Sequence, residues 1–326
     1  MGAATSDLRT KLKSDLAERL RQMRERCGSC CGLYTGKIGV SLCYFECSRI
    51  LGDTFYSETG MEMLNEVYES IGEVSGIDFS SGLTGIGWGI EWLGQNRYLS
   101  LNTDKLLEDF DDQLYQSVVY SRSGNPSLES GTLGKAMYFF RRVRSQNRRP
   151  NRYRYLCNFE CLAILIDELS EFYLSGEFGI PGEPNAPVYS SITSDQITGL
   201  AQCLAFSLLL LPYRIRYETV EKLIRTIRLF VEHFDKMFVS DRNGSMDCAY
   251  GYLLSMLHRF AVSENDVELI EMTLHSYKRT FALSGLPEVA NHMLKWMGQD
   301  SIFHFLVEIQ KLAKVSNYLW KEAWLA

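Results

Sequence analysis

The sequence predicts an all-α protein, an (α/α)6 toroid of helical hairpins with glycine-rich turns at the inner-helix starts. Three observations carry this. A glycine-bearing stretch recurs as Gly32-Leu-Tyr-Thr-Gly-Lys-Ile-Gly39, Ser81-Gly-Leu-Thr-Gly-Ile-Gly-Trp-Gly89 and Ser130-Gly-Thr-Leu-Gly-Lys-Ala136. Its second glycines fall at 36, 85 and 134, a spacing of 49 residues twice over, and a period of that size marks stacked supersecondary units. Behind each glycine pair, apolar residues recur every three or four positions (Ile38, Leu42, Phe45; Ile86, Ile90, Leu93; Leu133, Met137, Phe140). That is the pattern of a buried helix face. Strand-type alternation is nearly absent.

Each element follows from local signals. Residues 6–26 read as an amphipathic helix with a stripe at Leu8, Leu12, Leu16, Leu20 and Met23 and with Ser6 available as a cap. Outer helices are expected over about 57–71 and 103–119, the second opened by Asn102 or Thr103 and carrying acids in its first turns. Arg141 to Arg154 holds seven arginines in fourteen residues. It reads as a solvated loop and helix end, with an anionic-ligand patch as the alternative. An outer helix over 151–174 and a surface loop over 175–193, holding three of the seven prolines, come next.

A fourth glycine unit is Gly199-Leu-Ala-Gln202, whose inner helix runs to Leu211 and stops near Pro212, with an outer partner over 217–238. The fifth is Asp247-Cys-Ala-Tyr-Gly251 with an outer helix over 264–282, and the sixth is Ser284-Gly-Leu-Pro-Glu288 with 289–297 behind it. A helix over 301–324 closes the chain. Open solenoids need polar caps, and this chain ends in Tyr318, Leu319, Trp320 and Trp324, so closure is expected. The expectation is one domain over 1–326: an N-terminal helix and loop to residue 30, then six hairpins around a central cavity.

The net charge of −6 over 326 residues and a pI near 5.5 argue against nucleic acid as a partner. Residues 1–26 are charged and carry no apolar leader segment, and Leu204–Leu211 is too short to span a bilayer. A cytoplasmic protein with no membrane span is expected. Nine cysteines is an odd count, suited to free thiols in a reducing compartment. Cys27, Cys30 and Cys31 form a CxxCC cluster without a second ligand pair or a preceding thioredoxin-like strand. Cys43 with Cys47, and Cys157 with Cys161, read as small buried hydrophobes.

The glycine stretches at 32–39 and 81–89, with the repeated glycine-bearing inner helices, resemble the lanthionine synthetase C-like family, the cyclases of lanthipeptide biosynthesis. The resemblance covers about the first 140 residues. It implies an α/α toroid, in which a zinc ion activates a cysteine thiolate of a peptide for addition to a dehydrated serine or threonine. In the family, zinc is held by a cysteine in a Trp-Cys-Tyr-Gly turn and by a Cys-His-Gly turn one repeat later. Here the first corresponds to Cys248 in Asp247–Gly251, with one residue inserted and no tryptophan. The second falls near Ser284–Pro287, which holds neither cysteine nor histidine. Gln202 stands where the family's fourth repeat carries histidine.

The expectation is therefore a zinc-free relative that binds a peptide, or assists its modification with peptide-maturation proteins. Cavity-binding candidates are Tyr34, Lys37, Trp88, Glu91, Lys135, Gln202 and Tyr250. Catalytic candidates are Cys248, Asp247 and His258, with Cys248 as the one metal-ligand candidate; His258 and His292 also read as satisfied core histidines. Two alternatives stand beside this. One is a glycoside-processing enzyme using a pair among Asp78, Glu91, Asp195 and Asp247, since six-hairpin barrels support such chemistry. The other is a peptide cyclase with an unorthodox metal set at Cys248, His258 and His292.

Overall fold

The computed structural model describes residues 2–175, 192–237 and 244–284. These residues form twelve α-helices and no strand, as the periodicity predicts. The expected sixth unit from Gly285 onward, with His292, and the proline-bearing loop over 176–191 lie outside the described residues. The chain divides into two compact units. The first comprises Met1–Ser117 with Met137–Phe159, and the second comprises Val118–Ala136 with the described part of Glu160–Gln299.

In the first unit, α1 (Gly2–Cys27), α2 (Lys37–Leu51), α3 (Thr54–Ser70) and α4 (Leu83–Gln95) build the core. Helix α2 is buried nearly all round: Ile38, Val40, Leu42, Cys43, Phe45 and Cys47 are inaccessible. It packs against α1, α3 and α4. Helix α3 leaves Phe55 and Tyr68 exposed on its far side, so α2 is the inner and α3 the outer member of a hairpin. The two approach closely at Gly60, where an added Cβ would meet the Phe45 ring at 3.1 Å. Ser41 Oγ donates to the Gly60 carbonyl there at 2.9 Å. Between the two helices Gly52, with φ of 66°, ends α2 in the left-handed region, and Asp53 caps α3 by accepting from Phe55 N.

The inner helices start in one repeated way. The first helical N–H reaches back seven residues to a carbonyl: Lys37 to Cys30 at 2.8 Å, Leu83 to Gly76 at 2.9 Å, and Thr132 to Asn125 at 2.8 Å. The residue just before each helix is Gly36, Gly82 and Gly131. A Cβ on Gly36 would run into the Gly32 backbone, on Gly82 into the Gly76 carbonyl, and on Gly131 into the Asn125 carbonyl. The equivalent glycines are thus 36, 82 and 131, spaced by 46 (82 − 36) and 49 (131 − 82). This corrects the register 36, 85 and 134. Gly85 lies inside α4, where its bare Cα admits the Phe79 carbonyl and Leu33.

Helix α5 (Thr103–Leu106) and α6 (Glu108–Val119) divide the helix expected over 103–119. Asn102 is the cap, accepting from Asp104 N at 3.2 Å. The break at Leu107 follows from how α5 is held. Asn147 accepts from Thr103 N at 3.0 Å, and Asp104 accepts from Asn151 N at 2.8 Å.

Helices α7 (Thr132–Val143) and α8 (Arg152–Ser175) contribute residues to both units. On the α7 portion in the first unit, the arginine cluster departs from a solvated helix end. Arg141, Arg142 and Arg154 are buried. The Arg142 side chain is wholly inaccessible, and it donates to Glu91 at 2.7 Å, to Asp111 at 2.7 and 3.0 Å, and to Asp104 at 3.3 Å. Tyr138 Oη donates to the same Asp111 at 2.7 Å. Burial alone would lower the Arg142 pKa, but the hydrogen bonds and charges of Asp111, Tyr138 and Glu91 more than offset it and hold it above its ordinary value. Arg154 is held by Asp112 and Glu108.

In the second unit, α9 (Ser194–Leu210), α10 (Tyr217–Met237), α11 (Gly244–Glu264) and α12 (Val267–Ser284) continue the alternation. Helix α9 packs on α10 and α11, and α11 on α12. The start of α9 differs from the glycine closures: Thr193 and Gln196 form a capping box, and Gly199 lies inside the helix, where an added Cβ would sit 3.1 Å from Tyr173 Oη. Likewise α11 begins at Gly244, so the expected fifth turn at Asp247–Gly251 is helical. The segment Ser194–Tyr213 is long and apolar enough to cross a membrane by length and composition, unlike the shorter run read from the sequence. Over half of its most apolar stretch is nonetheless buried within the protein. At its end Pro212 opens a tight 3-10 turn.

Removing one partner of a buried, hydrogen-bonded charge set leaves the others uncompensated. Arg142→Met is expected to lower unfolding stability by about 3–5 kcal/mol, read as a shift in the urea midpoint. Arg148→Met, on the exposed part of the same cluster, is expected to move it by no more than about 0.5 kcal/mol.

Candidate functional site

The helix starts place the expected cavity residues. In the first unit the loops before α2 and α4 interlock, with Leu33 N and Tyr34 N both donating to the Ser80 carbonyl at 2.9 and 3.0 Å. Gly32 permits this, since a Cβ there would lie 2.5 Å from Ser81 Cα. Tyr34 stands edge-on to Phe79, and Phe79 edge-on to Trp88, at centroid distances of 6.2 and 5.8 Å. Arg141 lies over the Trp88 ring at 5.0 Å. Tyr34 and Trp88 are therefore joined through Phe79, a residue the spacing argument passed over.

Lys37 is held by Glu66 at 2.9 Å, and this hydrogen bond raises its pKa. Glu91 is buried and bound by Arg142, and it also accepts from Gln95 at 2.9 Å. Of the carboxylates weighed for hydrolysis, Asp78 is half-buried in the second helix start and Asp195 is exposed on the first turn of α9.

In the second unit Lys135 is buried and Gln202 is half-buried on α9. Tyr250 is fully buried on α11, its ring 5.0 Å from that of Phe234, which makes it a core residue. His258 is half-buried, with Nδ1 2.9 Å from Thr273 Oγ1. The side chains of Asp247 and Cys248 lie outside the described residues.

Among the described residues no group of three or more His, Cys, Asp or Glu side chains is arranged to hold a metal ion. Of the donors weighed for a metal, His258 is described, whereas the Cys248 side chain and His292 lie outside the described residues; at Gln202 the chain carries an amide, and burial pushes the neighbouring Cys203 thiol up to about 12. Cys43, Cys47 and Cys161 are fully buried, as read from the sequence, whereas Cys157 is half-buried.

The third glycine closure opens onto a cavity of about 310 Å³ in the second unit, lined by Arg122, Asn125, Thr132, Glu168, Glu171 and Phe172 among others. Glu168 accepts from Ser123 N at 3.0 Å and from Thr132 Oγ1 at 3.1 Å, which ties the loop and the helix start to α8. Arg122 pairs with Glu171 at 2.7 Å and remains largely exposed. Such an exposed pair is worth little in water. The cavity thus offers a cation, an acid wall and an apolar floor at Leu169 and Phe172. The signal in the chain was the repeat itself: Arg122 and Glu171 stand 49 residues apart, as do Arg49 and Tyr98, and Asp167 and Arg216, all of them bonded pairs.

No protein-family model, curated protein or solved structure matches the chain.

Proposed function

We propose that this chain is a zinc-free lanthionine synthetase C-like protein, its hairpins closed in a toroid, that binds a peptide rather than cyclising it. The observation that carries the reading is the glycine-closed helix start, repeated at Gly36, Gly82 and Gly131 with one backbone geometry. It gives physical content to the motifs on which the family resemblance rests. The absence of cysteine or histidine at Ser284–Pro287, and the amide at Gln202, support a relative without the family's metal chemistry. The cavity beside the third closure supplies groups suited to a short extended peptide. Arg122 would meet a carboxylate, Glu168 and Glu171 a backbone or ammonium N–H, and Phe172 an apolar side chain.

The test uses the purified full-length chain and a fluorescent linear peptide bearing one cysteine and one dehydroalanine. Binding is expected in the presence of a chelator, with no loss of the peptide thiol and no stoichiometric zinc in the protein. Arg122→Ala is expected to weaken binding about tenfold, equivalent to about 1.4 kcal/mol. Thiol loss together with bound zinc would establish the cyclase reading instead. Release of reducing sugar from a glycan, without peptide binding, would establish the hydrolase.

A further inference from the structure

The cysteine cluster before α2 has a geometry that the zinc and peptide arguments do not use. Cys27 ends α1, and Cys27-Gly28-Ser29-Cys30 forms a four-residue turn closed by a hydrogen bond from Cys30 N to the Cys27 carbonyl at 3.0 Å. Gly28 makes the turn possible with φ of 51°, a left-handed conformation at a point where an added side chain would meet nothing. A turn closed in this way holds its end Cα atoms within about 7 Å, and a disulfide needs roughly 4.4–6.8 Å. Cys30 is exposed and Cys27 buried. Cys31, next in the chain, is buried and its thiol faces the Ser29 carbonyl. One accessible thiol thus stands three residues from one protected thiol, whose Sγ donates to the Arg24 carbonyl at 3.0 Å and turns from it when the disulfide forms.

We propose that Cys27 and Cys30 are a reversible dithiol–disulfide pair, oxidised by small-molecule disulfides of the glutathione class. The Cys30 thiolate attacks one sulfur of the small disulfide. A mixed disulfide forms and one small thiol leaves with the proton. The Cys27 thiolate then attacks the Cys30 sulfur, closing the internal bond and releasing the second small thiol. Two electrons and two protons pass from the protein dithiol to the small disulfide, and the reverse exchange restores both thiols. Burial pushes the Cys27 thiol above its usual range, opposed by the nearby Lys37 charge. The exposure of Cys30 and the burial of Cys27 assign Cys30 the attack and Cys27 the resolving step.

The pair is wired into the fold, because the Cys30 carbonyl receives the Lys37 N–H that starts α2. Oxidation therefore fixes the loop that closes the first helix start. This inference does not rest on the peptide-binding reading.

The experiment equilibrates the full-length chain with mixtures of reduced and oxidised glutathione, alkylates free thiols before unfolding, and maps the peptides. Cleavage after Arg26 and Lys37 places Cys27, Cys30 and Cys31 in one peptide. That peptide is expected to lose two hydrogens in the wild type and in Cys31→Ser. It should lose none in Cys30→Ser, an exposed substitution that leaves the fold intact. Cys27→Ser should yield a glutathione adduct on Cys30. An internal disulfide persisting in Cys27→Ser, a stable adduct alone in the wild type, or no oxidation under any mixture would overturn the proposal.

Discussion

The structure depends on close backbone approach at the helix starts. Where an inner helix begins at Lys37, Leu83 or Thr132, its first N–H is satisfied by a carbonyl seven residues earlier, and that carbonyl or its neighbours occupy the space a Cβ would need. A helix otherwise leaves four N–H groups without partners at its start. The seven-residue closure satisfies one of them and sets the direction of the incoming chain in the same step. With that direction set, the apolar stripe behind each glycine faces its neighbours. In the first unit this places α2 and α4 against one another, with Gly89 admitting Ile38.

Among the described residues, the buried carboxylates Glu46 and Glu91 are each held in a hydrogen-bonded set. Glu46 is buried, and it accepts from Arg49 at 2.6 Å and from Tyr98 at 2.8 Å, joining α2 to the segment after α4. Arg142 gathers Glu91, Asp104 and Asp111 in the same way for α4, α5, α6 and α7. A guanidinium suits this position because its five donors lie in a fixed fork. These sets select one arrangement of the helices, since a shifted neighbour would strand a buried charge. They also explain why Glu91 serves the fold, although its place on an inner helix suggested a ligand.

Much of the fold was legible in the sequence. The 3.6-residue periodicity gave helix class and most boundaries, because burial of an apolar stripe is a local pattern. The glycine register was misread at the second and third units, where 85 and 134 were taken in place of 82 and 131. Glycine is needed at the cap at 36, 82 and 131, yet also within a helix at Gly85, and the letters alone do not separate a capping glycine from a packing one. The fourth start was misplaced for a related reason: Thr193 does by side chain what Gly82 does by its missing side chain. Arg148, Arg149 and Arg152 are exposed, as read, but Arg142 and Arg154 looked solvated because their acidic partners stand some 30 to 50 positions earlier. Arg122 and Glu168 were missed as cavity residues because they lie on a loop and on an outer helix, away from the glycine pattern that directed attention to the inner ones.

The account's central claim is that glycine at three helix starts is required by backbone proximity and not by flexibility. The direct measurement is chemical denaturation of Gly36→Ala, Gly82→Ala and Gly131→Ala beside Gly72→Ala, whose added methyl meets nothing within 4 Å. The three capping variants are expected to lose about 2 kcal/mol or more each, as overpacked sites do. Gly72→Ala is expected to be neutral or to gain about 0.4–1 kcal/mol. Equal, small effects at all four positions would contradict the account.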